Sequence, residues 1–331
     1  MSASGFVAFE RLAVLGLGLL GGSTARAARS RGVARETLGY ARRRGPLETA
    51  VAAGTIDRFG DLAEVVGGAD LVVLGTPIAA MERVLERAAP YLAPGAIVTD
   101  VGSVKGDLAR ALPALLPEGV QFVGSHPMAG SHRAGAEHAD AELFVGRCVV
   151  VTPIESTDER TCERISDFWA ALGARVVRRD PDAHDAQVAW TSHLPHLLAY
   201  AFSHALEHMP SPSKELVGAG FQDFTRIAHS GPDLWADILT TNGKALVGPL
   251  QHFSESLSQI AQAAEAGDPE ALERVLAAAG ETLMEVAAHA APRCVAPMRE
   301  NARSGGTSPE IHPATDVESS ASRRKQRNQH D

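Results

Sequence analysis

The sequence predicts an α/β chain in two parts, an N-terminal doubly wound parallel sheet followed by an all-α region. Three observations lead there. From Leu12 to about Arg178, short strand-like apolar runs alternate with helical stretches. After Asp180 the apolar spacing turns helical and no convincing strand recurs. The first apolar run breaks into LAVLGLGLLGGS, with Gly16, Gly18 and Gly21 in the GxGxxG spacing of a Rossmann-type strand, turn and helix.

The elements follow in order. LAVLGLG is the first strand, the Ala/Arg-rich stretch through Arg31 its helix, and ETLGY the second strand, which closes a βαβ unit of about 30 residues. LVVLGTP, AIVTDVGS, QFVGSHP, CVVVTP and ARVVRR supply further strands, with helices at Met81 to Ala89 and Asp158 to Leu172. Helical periods then run over Ala183 to His208, Lys214 to Ala228, Leu234 to Ala266 and Pro269 to Ala291. Arg303 to Asp331 is polar and aperiodic, and reads as a disordered tail. The expected division is 9–179, 180–301 and 302–331.

Leu12 to Ala27 also has the outline of a signal peptide ending in Ala-Arg-Ala. Glu10 beside Arg11, the interrupting glycines, and cysteines that are odd in number and scattered argue against it. The expected compartment is the cytoplasm. A net charge of −9 over 331 residues provides no broad basic field for nucleic acid or an anionic membrane surface. Cys148, Cys162 and Cys294 have no metal-ligand spacing and read as buried small hydrophobes. No apolar run reaches the length of a membrane span.

The glycine pattern implies a dinucleotide. Gly16 permits a tight turn, Gly18 clears room for phosphates, Gly21 lets helix and strand pack closely, and Leu19 and Leu20 open the helix whose N-terminus would hold the pyrophosphate. Ligands of such sheets sit outside the strand carboxyl ends, which singles out Thr76-Pro77, Asp100 to Lys105 and Ser125-His126-Pro127. At the end of the second strand, where NAD-binding units carry a carboxylate, this chain has Ala41 followed by Arg42, Arg43 and Arg44. Guanidinium groups there suit a 2′-phosphate, so NADP is the expected cofactor, with NAD possible if the arginines are only a solvated loop.

His126, at a strand end in GSHPMAG, is placed for proton exchange, although a strand-end histidine is also a common structural residue. Gly124, Pro127 and Gly130 would fix its loop, and Ser103 is positioned to hydrogen-bond the imidazole. In AWTSHLPHLLAY, helical spacing puts Ser192, His193 and His196 on one face, and Pro195 would kink the helix or open a gap in its ladder. These histidines lack a third ligand, so no metal is expected. Two readings of Arg226 stand: an internal pair with Asp223 or Asp237, or a clamp for a substrate carboxylate.

Taken together, GLGLLGGS, GTPI, TDVGSVKG, GSHPMAGS, DAHDAQVAWTSHLPH and GFQDFTRIA, in this order between Leu12 and Leu257, resemble the prephenate and arogenate dehydrogenase family of tyrosine biosynthesis. The resemblance implies oxidative decarboxylation of a cyclohexadienol with hydride transfer to the nicotinamide. By the same likeness, His126 is the catalytic histidine, Ser103 orients it and the nicotinamide, Arg226 binds the ring carboxylate, and His196 recognises the substrate side chain. Ser192 and His193 line the same face.

In the loop after His126, Ser131-His132-Arg133 replaces the acidic residue common in arogenate users, which with His196 favours prephenate. Glu137 and Asp140 lie near enough in sequence to keep arogenate or dual use open. The resemblance further implies a homodimer built through the helical region, although the apolar helices after Leu234 could equally be intramolecular core; with no mutase-like helical segment before Leu12 and a short polar stretch after Asn301, a monofunctional enzyme is expected, with any tyrosine inhibition competitive at the active site. Competing expectations are another two-domain NADP oxidoreductase, which would place a lysine or other donor on the interdomain helix, and a non-catalytic nucleotide sensor, which would have lost His126, Ser103 or Arg226.

Overall fold

Eight strands form one sheet in the order β3-β2-β1-β4-β5-β6-β7-β8. The computed structural model describes residues 9–130, 135–209 and 213–289. In chain order the first half comprises β1 (Phe9–Leu15), α1 (Leu19–Ser30), β2 (Ala34–Tyr40), α2 (Arg44–Ala52), β3 (Arg58–Phe59), α3 (Leu62–Val66), β4 (Leu71–Leu74) and α4 (Ile78–Ala88). β5 (Ile97–Asp100), α5 (Gly106–Ala111), β6 (Gln121–Pro127), β7 (Cys148–Thr152), α6 (Glu159–Ala171) and β8 (Arg175–Arg178) complete the sheet region.

The strands β1, β4 and β5 are almost wholly buried because helices cover both faces of the sheet. One apolar layer holds Leu12, Val14, Phe144 and Trp169, and the other Leu15, Val72, Met81 and Leu85. From β1 the chain moves outward through β2 to β3, then returns to place β4 on the other side of β1. Connections leave in opposite directions from β1 and β4, and that reversal opens a crevice at their carboxyl ends.

Two features depart from the expected parallel sheet. β7 pairs antiparallel with β6, in the register Gly124↔Thr152 to Pro127↔Val149. Among the described residues between these strands there is no helix of crossover length, so β7 returns alongside its neighbour, whereas α6 carries the chain over to a parallel β8. The edge strand β3 is only two residues long, too short to leave an alternation in the sequence.

After Pro181 the described residues are helical: α7 (Pro181–Val188), a π-helical turn (Ala189–His193), α8 (Leu194–Ala205), α9 (Ala219–Thr225), α10 (Pro232–Thr241), α11 (Gly243–Glu265) and α12 (Pro269–His289). The gap expected from Pro195 is that π turn. Proline has no N–H for the carbonyl of Thr191, its ring crowds that carbonyl, and Leu194 N–H instead donates five residues back to Ala189. The helix expected over Lys214 to Ala228 is shorter, and the one expected over Leu234 to Ala266 divides at buried Asn242. Trp235 and Ile238 of α10 are buried in the same apolar layer as Ile78 and Met81 of α4. Among the described residues no helix is long and apolar enough to cross a membrane. The predicted tail and Cys294 lie outside the described residues.

Candidate active site

Two adjoining clefts occupy the crevice. One, of about 650 Å³, runs from Gly16 and Gly18 past Thr76 to Ala41, Arg42 and Arg43. The other, of about 400 Å³, is lined by Leu19, Leu20, Ser103, His126 and Leu234. Gly18, Gly75, Thr76, Pro77 and Gly135 border both, so the pair forms one continuous groove.

The glycines act as their spacing predicts. Gly16 has φ +106°, and a Cβ there would lie 2.6 Å from the Gly75 backbone. A Cβ on Gly21 would lie 2.0 Å from the Gly16 carbonyl oxygen, while one on Gly18 would meet nothing within 4 Å. Gly18 is also the N-cap of α1, with no side chain capping the first turn. Open space beside an uncapped helix N-terminus fits an anion such as a pyrophosphate. The buried hydroxyl of Thr76 has no hydrogen-bond partner and borders the same space, which a ligand oxygen would satisfy. Among the three arginines after β2, Arg44 is held by Glu48 at 2.8 Å and lies over Phe59, whereas Arg42 and Arg43 line the cleft.

His126 terminates β6 and is 7% exposed. Its Nδ1 lies 2.8 Å from Nε2 of His184, and His184 Nδ1 lies 2.8 Å from Oδ1 of Asp185. A carboxylate only accepts, so His184 Nδ1–H donates to Asp185; the neutral ring's Nε2 then accepts from His126 Nδ1–H. Among the described residues nothing hydrogen-bonds His126 Nε2, so the relay leaves its lone pair free. Asp185 also accepts from the backbone N–H groups of Lys105 and Gly106, each at 2.8 Å, which anchors α7 to the start of α5. Asn242 donates to the Asp185 carbonyl at 3.0 Å and approaches His193 Nδ1 at 2.9 Å.

Beneath this relay a buried Lys105 pairs with Asp100 and donates to the Ser125 carbonyl at 2.9 Å. Burial lowers the Lys105 pKa, opposed by the Asp100 charge. Burial, together with the nearby His184, Lys105 and His193, holds the His126 imidazole well below its ordinary pKa. His126 is therefore a neutral base near neutral pH.

The sequence reading assigned the orientation of His126 to Ser103, and here the structure differs. Ser103 borders the same cleft, but among the described residues the partner of His126 is His184. The reason lies in the loop: the Asp100 carboxylate takes the Gly102 N–H, and Asp185 takes those of Lys105 and Gly106. Ser103 sits between these anchors in the loop and borders the cleft.

On the helical side, His193 is 1% exposed and its pKa falls to about 4, chiefly through burial. His196 stacks on Trp235 with ring centres 3.8 Å apart, and its Nδ1–H donates to the Ser192 carbonyl at 2.8 Å. Burial and the Arg226 charge lower the His196 pKa. Arg226 is exposed and has no ion pair among the described residues. Asp237, one of its expected partners, instead accepts from Ala79 N–H at 3.1 Å at the start of α4. Ser192, His193, His196 and Arg226 thus adjoin one another beyond the His126 cleft without lining it. Ser131 and His132 lie outside the described residues.

Sequence reasoning missed His184, Asp185, Asn242 and Trp235, and took Lys105 only as the end of the Asp100 to Lys105 stretch, without its pairing to Asp100. His184 and Asp185 were visible inside DAHDAQ, and Lys105 was conspicuous as a lysine at an apolar strand end. Nothing local pairs them with His126, 58 residues away from His184.

A dinucleotide groove whose far end holds a relay-oriented histidine defines a Rossmann-type oxidoreductase with a helical second part. Comparison with known proteins narrows this. The profile of the prephenate dehydrogenase nucleotide-binding domain matches residues 24–178, and that of the prephenate dehydrogenase dimerization domain matches residues 180–278. Cyclohexadienyl dehydrogenase of Zymomonas mobilis is 34% identical over 265 residues, covering 78% of this chain and 90% of that protein. Prephenate dehydrogenase from Aquifex aeolicus, solved with hydroxyphenyl propionate and NAD+, superposes with a TM-score of 0.77 at 31% identity, covering 84% of this chain and 98% of that one. Synechocystis arogenate dehydrogenase gives a TM-score of 0.72 at 32% identity, covering 83% and 99%. The chain belongs to the prephenate dehydrogenase family.

Proposed function

We propose that this protein oxidatively decarboxylates prephenate to 4-hydroxyphenylpyruvate and prefers NADP over NAD. The observation that carries the reading is the free Nε2 of His126 at the end of a groove that begins at the glycine turn. When bound, the nicotinamide supplies a hydride acceptor. His126 Nε2 takes the proton of the ring hydroxyl as that carbon loses its hydride. Carbon dioxide then leaves, and the proton returns to the phenolic oxygen as the ring becomes aromatic. The His184–Asp185 relay holds the ring in the tautomer whose Nε2 accepts, and base catalysis of this kind is worth about 10²–10⁴-fold in rate.

Ser103, at the cleft wall, orients the nicotinamide and the substrate hydroxyl. Arg226, free of carboxylate partners among the described residues, binds a substrate carboxylate; His196, with Ser192 and His193 behind it, recognises the side chain. The two carboxylates that kept arogenate open face elsewhere. Glu137 borders the adenosine-side cleft, and Asp140 accepts from Glu142 N–H in its own loop. That arrangement favours a keto-acid side chain over an ammonium group.

The same reading divides the chain into a dinucleotide domain over 9–179 and a substrate and dimerisation domain over 180–301. Exposed Val247, Leu257, Leu276, Leu283 and Met284 on α11 and α12 suit a homodimer. Cys148 and Cys162 are free thiols, in keeping with a reducing cytoplasm.

The test is to incubate the purified protein with prephenate or arogenate, each with NAD+ or NADP+, and follow reduced cofactor by absorbance. Fastest turnover with prephenate and NADP+ is expected. No reduction with prephenate sinks the activity, faster turnover of arogenate sinks the substrate choice, and a higher kcat/KM with NAD+ sinks the cofactor choice.

A further inference from the structure

The adenosine end of the groove carries more positive charge than the loop after β2 supplies. Besides Arg42 and Arg43, its lining includes Arg83 and Arg87 from α4. Glu137 is the single carboxylate among the lining residues, in a chain whose net charge is −9. On α4 the opposite face is committed to the core through Ile78, Met81, Leu85 and Ala88, which turns the four-residue spacing of Arg83 and Arg87 toward the cleft.

Like charges at this spacing repel, and helices ordinarily relieve them with carboxylates one turn away. Glu82 and Glu86 belong to the same helix, yet neither Arg83 nor Arg87 makes an ion pair among the described residues. Arginines nearby are treated differently. Arg44 is spent on Glu48, Arg58 and Arg11 on Glu36, and Arg29 on Asp57. Guanidinium groups left unpaired, in a concave site, and supplied by two separate elements are suited to an anion that enters between them.

We propose that Arg83 and Arg87 are specificity-determining residues that close the second side of a 2′-phosphate site, with Arg42 and Arg43 forming the first. This rests on the NADP reading above and extends it to α4, which the βαβ signature does not include. The site takes a phosphomonoester on a ribose, and its energy comes from charge-assisted hydrogen bonds that the unphosphorylated ribose cannot make.

The experiment is equilibrium titration of 2′,5′-ADP, 5′-AMP, NADP+ and NAD+ into the full chain and into R83Q/R87Q and R42Q/R43Q. Glutamine keeps helix propensity and length without the charge, and a thermal melt verifies folding. R83Q/R87Q is expected to weaken 2′,5′-ADP and NADP+ at least about tenfold and to leave 5′-AMP and NAD+ within about twofold. Its 2′,5′-ADP affinity should also depend less steeply on salt. Equal losses for the phosphorylated and unphosphorylated ligands would place these arginines on the adenine or pyrophosphate and overturn the proposal. Unchanged 2′,5′-ADP binding in R83Q/R87Q, with a loss in R42Q/R43Q, overturns the role of α4 and leaves the NADP reading standing. If the unmodified chain binds 5′-AMP as tightly as 2′,5′-ADP, the NADP reading itself fails and takes this proposal with it.

Discussion

Asp185→Asn is the sharpest perturbation of the catalytic relay. Asp185 Oδ1 accepts from Lys105 N–H and His184 Nδ1–H, and Oδ2 accepts from Gly106 N–H, all at 2.8 Å. An amide cannot serve all three. With its oxygen toward His184, its NH2 opposes the Gly106 N–H, leaving a buried donor unpaired at a cost of about 1–3 kcal/mol. With its NH2 toward His184, it opposes two donors unless His184 moves its proton to Nε2. That tautomer then donates to His126 Nδ1, and the His126 proton shifts to Nε2, where the base should be.

The second arrangement removes the general base, so kcat should fall about 10²–10⁴-fold, or ~2.7–5.4 kcal/mol of transition-state stabilisation. The assay is kcat with saturating prephenate and cofactor, alongside cofactor affinity by titration and a thermal melt. Affinity should stay within about twofold, because Asp185 is not among the neighbours of Gly16, Gly18 or Gly21. Because an amide with its oxygen toward His184 keeps the relay, His184→Phe is made alongside; folded variants that both keep kcat within about threefold of the parent would refute the relay as the orienting device.

Further expectations follow from the same geometry. Gly18→Ala should fold with its melting temperature nearly unchanged, since the added methyl meets no atom within 4 Å, yet lose cofactor affinity at least about tenfold; Gly21→Ala, 2.0 Å from a carbonyl oxygen, should lose several degrees or fail to fold. Undiminished cofactor binding in Gly18→Ala would show that the phosphates lie elsewhere. For His193, whose folded pKa of about 4 lies below its ordinary value of 6.5, the unfolded chain takes up the proton first. Its contribution is complete above pH 6.5 and is lost as pH falls toward 4, amounting to about 3 kcal/mol, and denaturant titrations of the parent against His193→Gln across that window should show the difference. Arg226→Gln should raise the KM for prephenate at least about tenfold with cofactor affinity intact; an unchanged KM would remove it from the substrate site.

Much of this was legible locally. The glycine turn, the strands on either side of it and the change to helical periodicity after Asp180 are written in spacing alone, because strand and helix periods and glycine's lack of a Cβ act over a few residues. A kink or gap at Pro195 was likewise a local expectation from its missing N–H, but that it takes the form of a π turn over Ala189–His193 was not. The direction of β7 was not legible, since an apolar run such as CVVVT is the same in either orientation and only the absence of a crossover helix decides it.

The candidate site divides in the same way. Its first residues, His126 at a strand end and the arginines after β2, belong to short motifs whose chemistry can be named from residue type. The partners of those residues do not. His184 and Asp185 come from α7, and Arg83 and Arg87 from α4; Asp237 reaches the start of α4 across 158 residues, and Arg226 is left without it.

By itself, then, the sequence determined the fold class and the glycine turn, and singled out His126 as the candidate base. The tertiary structure decided which nitrogen of His126 is free, which arginines face the groove and which carboxylates are already engaged. Local spacing specifies which backbone conformations and faces a segment presents, but a hydrogen bond at 2.8 Å between His126 and His184 exists only once the sheet and the helical region have packed and buried both rings.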